Sequence, residues 1–81
     1  MNSKIIDVTT EYSKKELGNK IATLRVTIGW SQEFLGKMVG VTRQTIASWE
    51  KGETSPKTDH LFKLARVFGK PVDELKGVEE E

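Results

Sequence analysis

With 81 residues, 36% hydrophobic and 31% charged, the chain has room for one small domain with one modest core, and its composition reads as that of a soluble globular protein. It contains no cysteine, which excludes a disulfide framework, thiolate metal ligation and a cysteine nucleophile, and no apolar run approaches the roughly 20 residues that span a bilayer. The net charge of +1 includes the three tail glutamates Glu79, Glu80 and Glu81; without them residues 1–78 carry +4, a weakly basic balance that names no partner by itself.

The opening segment MNSKIIDVTTEY lacks a basic region followed by a continuous apolar stretch, so it does not read as a secretory signal and the protein is expected in the cytoplasm, with no membrane partner. Residues 1–12 read as an N-terminal arm. Their β-branched, partly alternating KIIDVTT suits either a short strand or a loosely tied terminus, and Ile5, Ile6 and Val8 allow packing against the body or a second subunit. Ser13 followed by Glu16 fits a capping box, after which Leu17, Ile21, Leu24 and Ile28 repeat at helical spacing up to Gly29. Ser31 is placed to cap a second helix carrying Phe34, Leu35, Met38 and Val39, which stops at Gly40. Thr42 is placed to cap a third helix through Ile46 and Trp49 to Gly52.

After the loop ETSP, Leu61, Leu64, Ala65 and Phe68 mark a fourth amphipathic helix ending at Gly69. Pro71 then opens a short fifth helix through Leu75, stopping at Gly77. The expected fold is all-α, with a five-helix domain over residues 13–77 and an acidic tail over 78–81.

Helices two and three, both short and joined by a tight turn, fit a helix-turn-helix, in which the second member enters the DNA major groove. At about 100° per residue, Ile46, Trp49 and Glu50 fall on one side of helix three and Gln44, Ala47, Ser48 and Lys51 on the other. The outward side suits groove reading. A glutamine amide pairs with adenine N6 and N7, an arginine such as Arg43 with guanine O6 and N7 or a phosphate, and a serine hydroxyl donates or accepts. Ala47 is short enough to let the helix approach and can touch a thymine methyl. Taken singly, each of these residues is also an ordinary solvated helix residue; the combination carries the reading.

From Leu17 to Leu75 the chain resembles the phage Cro/CI repressor-type, or Xre, helix-turn-helix family. The positions that carry the resemblance are Gln32 opening helix two, Gly36 four residues later, Gly40 in the turn, and Glu50 and Gly52 closing helix three. Leu35, Val39, Val41, Ile46 and Trp49 occupy its apolar positions, and PVDELKG is similar to its last helix. Lys57-Thr58 and Lys70-Pro71 depart from the family pattern. The resemblance implies a repressor-like fold and a regulator of transcription that binds double-stranded DNA as a homodimer on a palindromic operator. It further implies base contacts from Arg43, Gln44, Ala47 and Ser48, phosphate contacts from Gln32, Thr45, Lys51 and Lys57, and a structural ion pair between Arg25 and Glu50. Trp30 and Trp49 are expected in the core.

The competing expectation is an antitoxin or protein-interaction module on the same fold, with Val72, Leu75 and Val78 as a partner surface or a satellite of the core. An enzyme is the least supported class. No nucleophile stands with a histidine base, no phosphate-binding glycine motif occurs, and the single histidine, His60, reads as a solvated residue of a first helical turn rather than a metal ligand. No catalytic residue, metal site or cofactor is expected.

Overall fold

The computed structural model describes the backbone of residues 2–76 and the side chains of residues 14–75. Its elements are α1 (Asn2–Ile28), α2 (Gln32–Val39), α3 (Arg43–Lys51), α4 (Thr58–Phe68) and α5 (Val72–Lys76), with no strand among the described residues.

Local chemistry sets the boundaries of the central pair. The Ser31 hydroxyl accepts the Phe34 N–H at 2.9 Å and the Thr42 hydroxyl accepts the Thr45 N–H at 3.1 Å, each satisfying one of the donors that a helix start leaves open. At the other ends Gly40 and Gly52 adopt φ of 88° and 77°, a left-handed conformation that a side chain disfavours, and so turn the chain sharply. The start of α4 is different: Lys57 holds the capping position and contributes no side-chain cap.

Helices as short as α2 and α3 are marginal alone, and packing supplies their stability. Ile21 of α1, Leu35 and Val39 of α2, Ile46 of α3, Leu64 of α4 and Leu75 of α5 are fully buried and meet in one core, joined by Trp49, Leu61, Ala65 and Phe68. Each such side chain contributes about 1.5–3 kcal/mol by leaving water. α3 packs against both α1 and α2, α4 against α2 and α5, and α5 closes back on α1. Two close approaches seat α3 on α1. A Cβ at Gly18 would collide with the Trp49 carbonyl oxygen and stand 2.8 Å from that of Glu50, and one at Gly52 would stand 2.9 Å from Cγ of Lys15.

Several expectations need correction. Residues 2–12 are helical and continuous with α1, not a strand, so Ser13 and Glu16 lie inside a helix and not at its start. Nothing in the segment halts a helix: between Asn2 and Leu17 there is neither glycine nor proline, and β-branched residues cost only a few tenths of a kcal/mol each. Phe34 and Met38 are largely exposed, because α2 has only two turns and presents the single line Leu35–Val39 to the core. Phe34 instead meets Trp30 edge-on, with ring centroids 5.0 Å apart, and Trp30 is half-buried at the core's edge. His60 is also half-buried, its ring 5.5 Å from that of Trp49. Leu75 belongs to the core, which removes it from any partner surface, and Val72 is partly buried against that core. Gly77, Val78 and the acidic tail lie outside the described residues.

Candidate nucleic-acid interface

α3 has two faces with opposite tasks. On the inner face Ile46 and Trp49 anchor the helix in the core, and Glu50, one residue on, also turns inward. A carboxylate in that position requires partners, since an unpaired buried charge costs several kcal/mol. It has three hydrogen bonds from two other helices. Arg25 of α1 donates from Nε at 2.6 Å and from Nη2 at 3.1 Å, a bidentate fork, and Gln32 of α2 donates from Nε2 at 3.0 Å. Arg25 also donates from Nη1 to the Trp30 carbonyl at 2.8 Å. The two charged side chains are 15% and 8% exposed, so water competes little for them. The hydrogen bond it donates to Glu50 raises the Arg25 pKa above its ordinary value, against the opposing effect of burial. One largely buried cluster of side chains thus fixes α3 to α1 and to the first residue of α2.

The outer face is open. Arg43, Gln44 and Lys51 are exposed, and Ala47 and Ser48 are half-buried between them. With Glu50 turned inward, residues 43–49 offer no carboxylate, and the two cations stand at either end of a small polar surface. At a rise of about 1.5 Å per residue the nine residues of α3 extend some 13 Å, and the short Ala47 and Ser48 side chains permit close approach to a groove about 12 Å wide.

The remaining residues singled out from the sequence fall around this surface. Thr45 is half-buried on the flank of α3, its hydroxyl 2.9 Å from that of Thr42. Lys57 is exposed ahead of α4, beyond the loop that leaves α3. Gln32 begins α2, but its amide nitrogen is turned toward Glu50; the backbone N–H groups of Gln32 and Glu33 remain at the open first turn.

Other contributors were not legible. Thr54, in the loop after α3, places its hydroxyl 2.8 Å from that of Ser48, a contact across six residues that no periodicity announces. Gly18 could have been suspected, because a glycine inside a helix costs about 1 kcal/mol against alanine and so often has a packing reason. No helix among the described residues is long and apolar enough to cross a membrane.

A helix-turn-helix family model (HTH_3) matches residues 21–75. The uncharacterized HTH-type transcriptional regulator YgzD of Bacillus subtilis (strain 168) is 43% identical over 63 residues, 78% of this chain and 96% of that protein. The cryptic phage CTXphi transcriptional repressor RstR of Vibrio cholerae is 40% identical over 57 residues, 70% of this chain and 51% of its own length. Among solved structures, the P22 c2 repressor in complex with synthetic operator 9T superposes with a TM-score of 0.71 at 36% identity, covering 73% of this chain and 89% of the other. The extent of the family match, the shared fold and the two-faced third helix lead to one conclusion: the chain belongs to the Cro/CI-type (Xre) helix-turn-helix family of DNA-binding transcriptional regulators.

Proposed function

We propose that the protein is a sequence-specific repressor that inserts α3 into the major groove of a palindromic operator, as a two-fold dimer, in the cytoplasm. The observation that carries this reading is the division of α3. Its inner face is clamped by Arg25, Glu50 and Gln32, and its outer face presents short polar and cationic side chains, with Arg43 and Gln44 exposed among the described residues. A clamped helix loses little further freedom on binding, so its contacts convert more fully into affinity.

In this reading Arg43, Gln44, Ala47 and Ser48 meet base edges, while Thr45, Lys51 and Lys57 meet phosphates. Gln32 acts at the phosphate through the open N-terminal turn of α2, its side chain already oriented by Glu50. The dimer follows from reach. A helix of about 13 Å covers only some four base pairs at 3.4 Å each, too few to single out an operator, and a two-fold partner doubles the reading. The similar P22 c2 repressor was crystallised with a synthetic operator, and RstR is a transcriptional repressor, which supports repression as the outcome of binding.

Selection of bound duplexes from a random pool, followed by footprinting and sedimentation, tests this reading. It predicts a motif with two-fold symmetry, half-sites about 34–36 Å apart or a multiple of that, and two chains per duplex. A single asymmetric half-site bound by one chain would remove the dimer from the reading, and no enrichment at low salt would remove the operator.

A further inference from the structure

The contact between Ser48 and Thr54 has no part in holding the core, yet the fold builds it deliberately. The Ser48 carbonyl accepts the Glu53 N–H at 3.0 Å and the Trp49 carbonyl accepts the Gly52 N–H at 3.0 Å, which ties the first residues of the loop onto the last turn of α3. Gly52 in its left-handed conformation turns the chain back along the helix, and Thr54, exposed, lands with its hydroxyl 2.8 Å from the Ser48 hydroxyl on the outer face.

We propose that Thr54 is a positioning residue for base reading: by accepting the proton of the Ser48 hydroxyl, it leaves Ser48 to read base edges as an acceptor. The inference rests on the operator-binding reading and deepens it. A serine hydroxyl has one proton and two lone pairs, and when solitary it rotates to donate or accept as needed, so it discriminates poorly. When it donates to a second hydroxyl it loses that freedom. If Ser48 donates to Thr54, only its lone pairs face the groove, and it favours cytosine N4 or adenine N6. A Ser48 that instead accepted from Thr54 would keep its proton and one lone pair and could still meet either sign of edge, so selectivity comes from the arrangement in which Ser48 donates. That arrangement makes Ser48 selective, and it requires the Thr54 oxygen.

The test uses the full chain and a random duplex pool to find the base pair whose preference Ser48→Ala abolishes, then titrates four duplexes that differ only at that pair. Thr54→Val, which keeps the shape and removes the hydroxyl, is expected to flatten the preference among the four by about three- to tenfold, the worth of one neutral hydrogen bond. Preferences elsewhere in the motif and the melting temperature stay as they were. Thr54→Ser, which restores the hydroxyl, retains the preference, and Thr54→Val added to Ser48→Ala changes nothing more at that pair. An equal loss on all four duplexes makes Thr54 a backbone contact and overturns the proposal, as does an unchanged preference. If Ser48→Ala abolishes no preference while the rest of the motif persists, the proposal falls and operator binding stands; if the wild-type chain enriches no motif, operator binding itself has failed.

Discussion

Removing Arg25 tests the clamp behind α3 most severely. Arg25→Met keeps most of the aliphatic bulk and deletes three hydrogen bonds, two to Glu50 at 2.6 and 3.1 Å and one to the Trp30 carbonyl at 2.8 Å. Glu50, with an 8% exposed side chain, then keeps only the Gln32 amide against its charge. Breaking one side of such a buried pair costs about 3–5 kcal/mol. In a domain of this size 1 kcal/mol moves the midpoint by about 4–8 °C, so the lower figure alone corresponds to about 12–24 °C. Thermal and urea unfolding followed by circular dichroism measure it. Two controls separate a buried clamp from a surface ion pair. The double variant Arg25→Met/Glu50→Met is expected to recover most of the loss, because the stranded charge goes with its partner. The wild-type midpoint is expected to be little altered between 0.05 and about 1 M salt through this pair, since burial shields it from screening. A loss below about 1 kcal/mol, the range of exposed pairs, or a double variant as unstable as the sum of the singles, would refute the clamp.

Gly18→Ala is expected to destabilise by about 1–3 kcal/mol although alanine is the better helix former, because its Cβ meets the carbonyl oxygens of Trp49 and Glu50; a midpoint that rises in thermal unfolding would contradict the close approach of α1 and α3. Lys51→Ala is expected to weaken binding to every duplex alike and to lower the slope of log affinity against log salt by about one, as the loss of one phosphate contact requires. A filter-binding titration across salt concentrations reads it, and an unchanged slope excludes Lys51 from the backbone.

Much of the architecture is written in local chemistry. Ser31 and Thr42 announce the starts of α2 and α3, Gly40 and Gly52 their ends, and the spacing of Ile46 and Trp49 the buried side of α3. Such signals are legible because each acts within one or two turns. The errors arise where the deciding partner is distant or where nothing local decides. Residues 2–12 carry β-branched residues without a stop signal, and weak propensity gave way to continuity with the helix that follows. Phe34 and Met38 are apolar at the right spacing, yet the core has room for only one line of α2. His60 touches Trp49, eleven residues away, and Thr54 reaches Ser48 through a turn whose direction depends on the conformation of Gly52. Glu50 stands between the two cases. Its position beside Ile46 calls for a cationic partner, but only the assembled fold shows that Gln32 shares it, which links the residue opening α2 to α3.

The division of α3 predicts that its outer face reads bases. The most direct measurement is a parallel selection from one random duplex pool by the wild-type chain and by Gln44→Ala, a change at an exposed position outside the core. The wild type should enrich a defined motif. The variant should enrich the same motif with one base pair per half-site degenerate, a loss of about 1–3 kcal/mol of discrimination confined to that pair. An identical motif from both chains, or a uniform loss across every position, would contradict the claim that this face specifies the sequence.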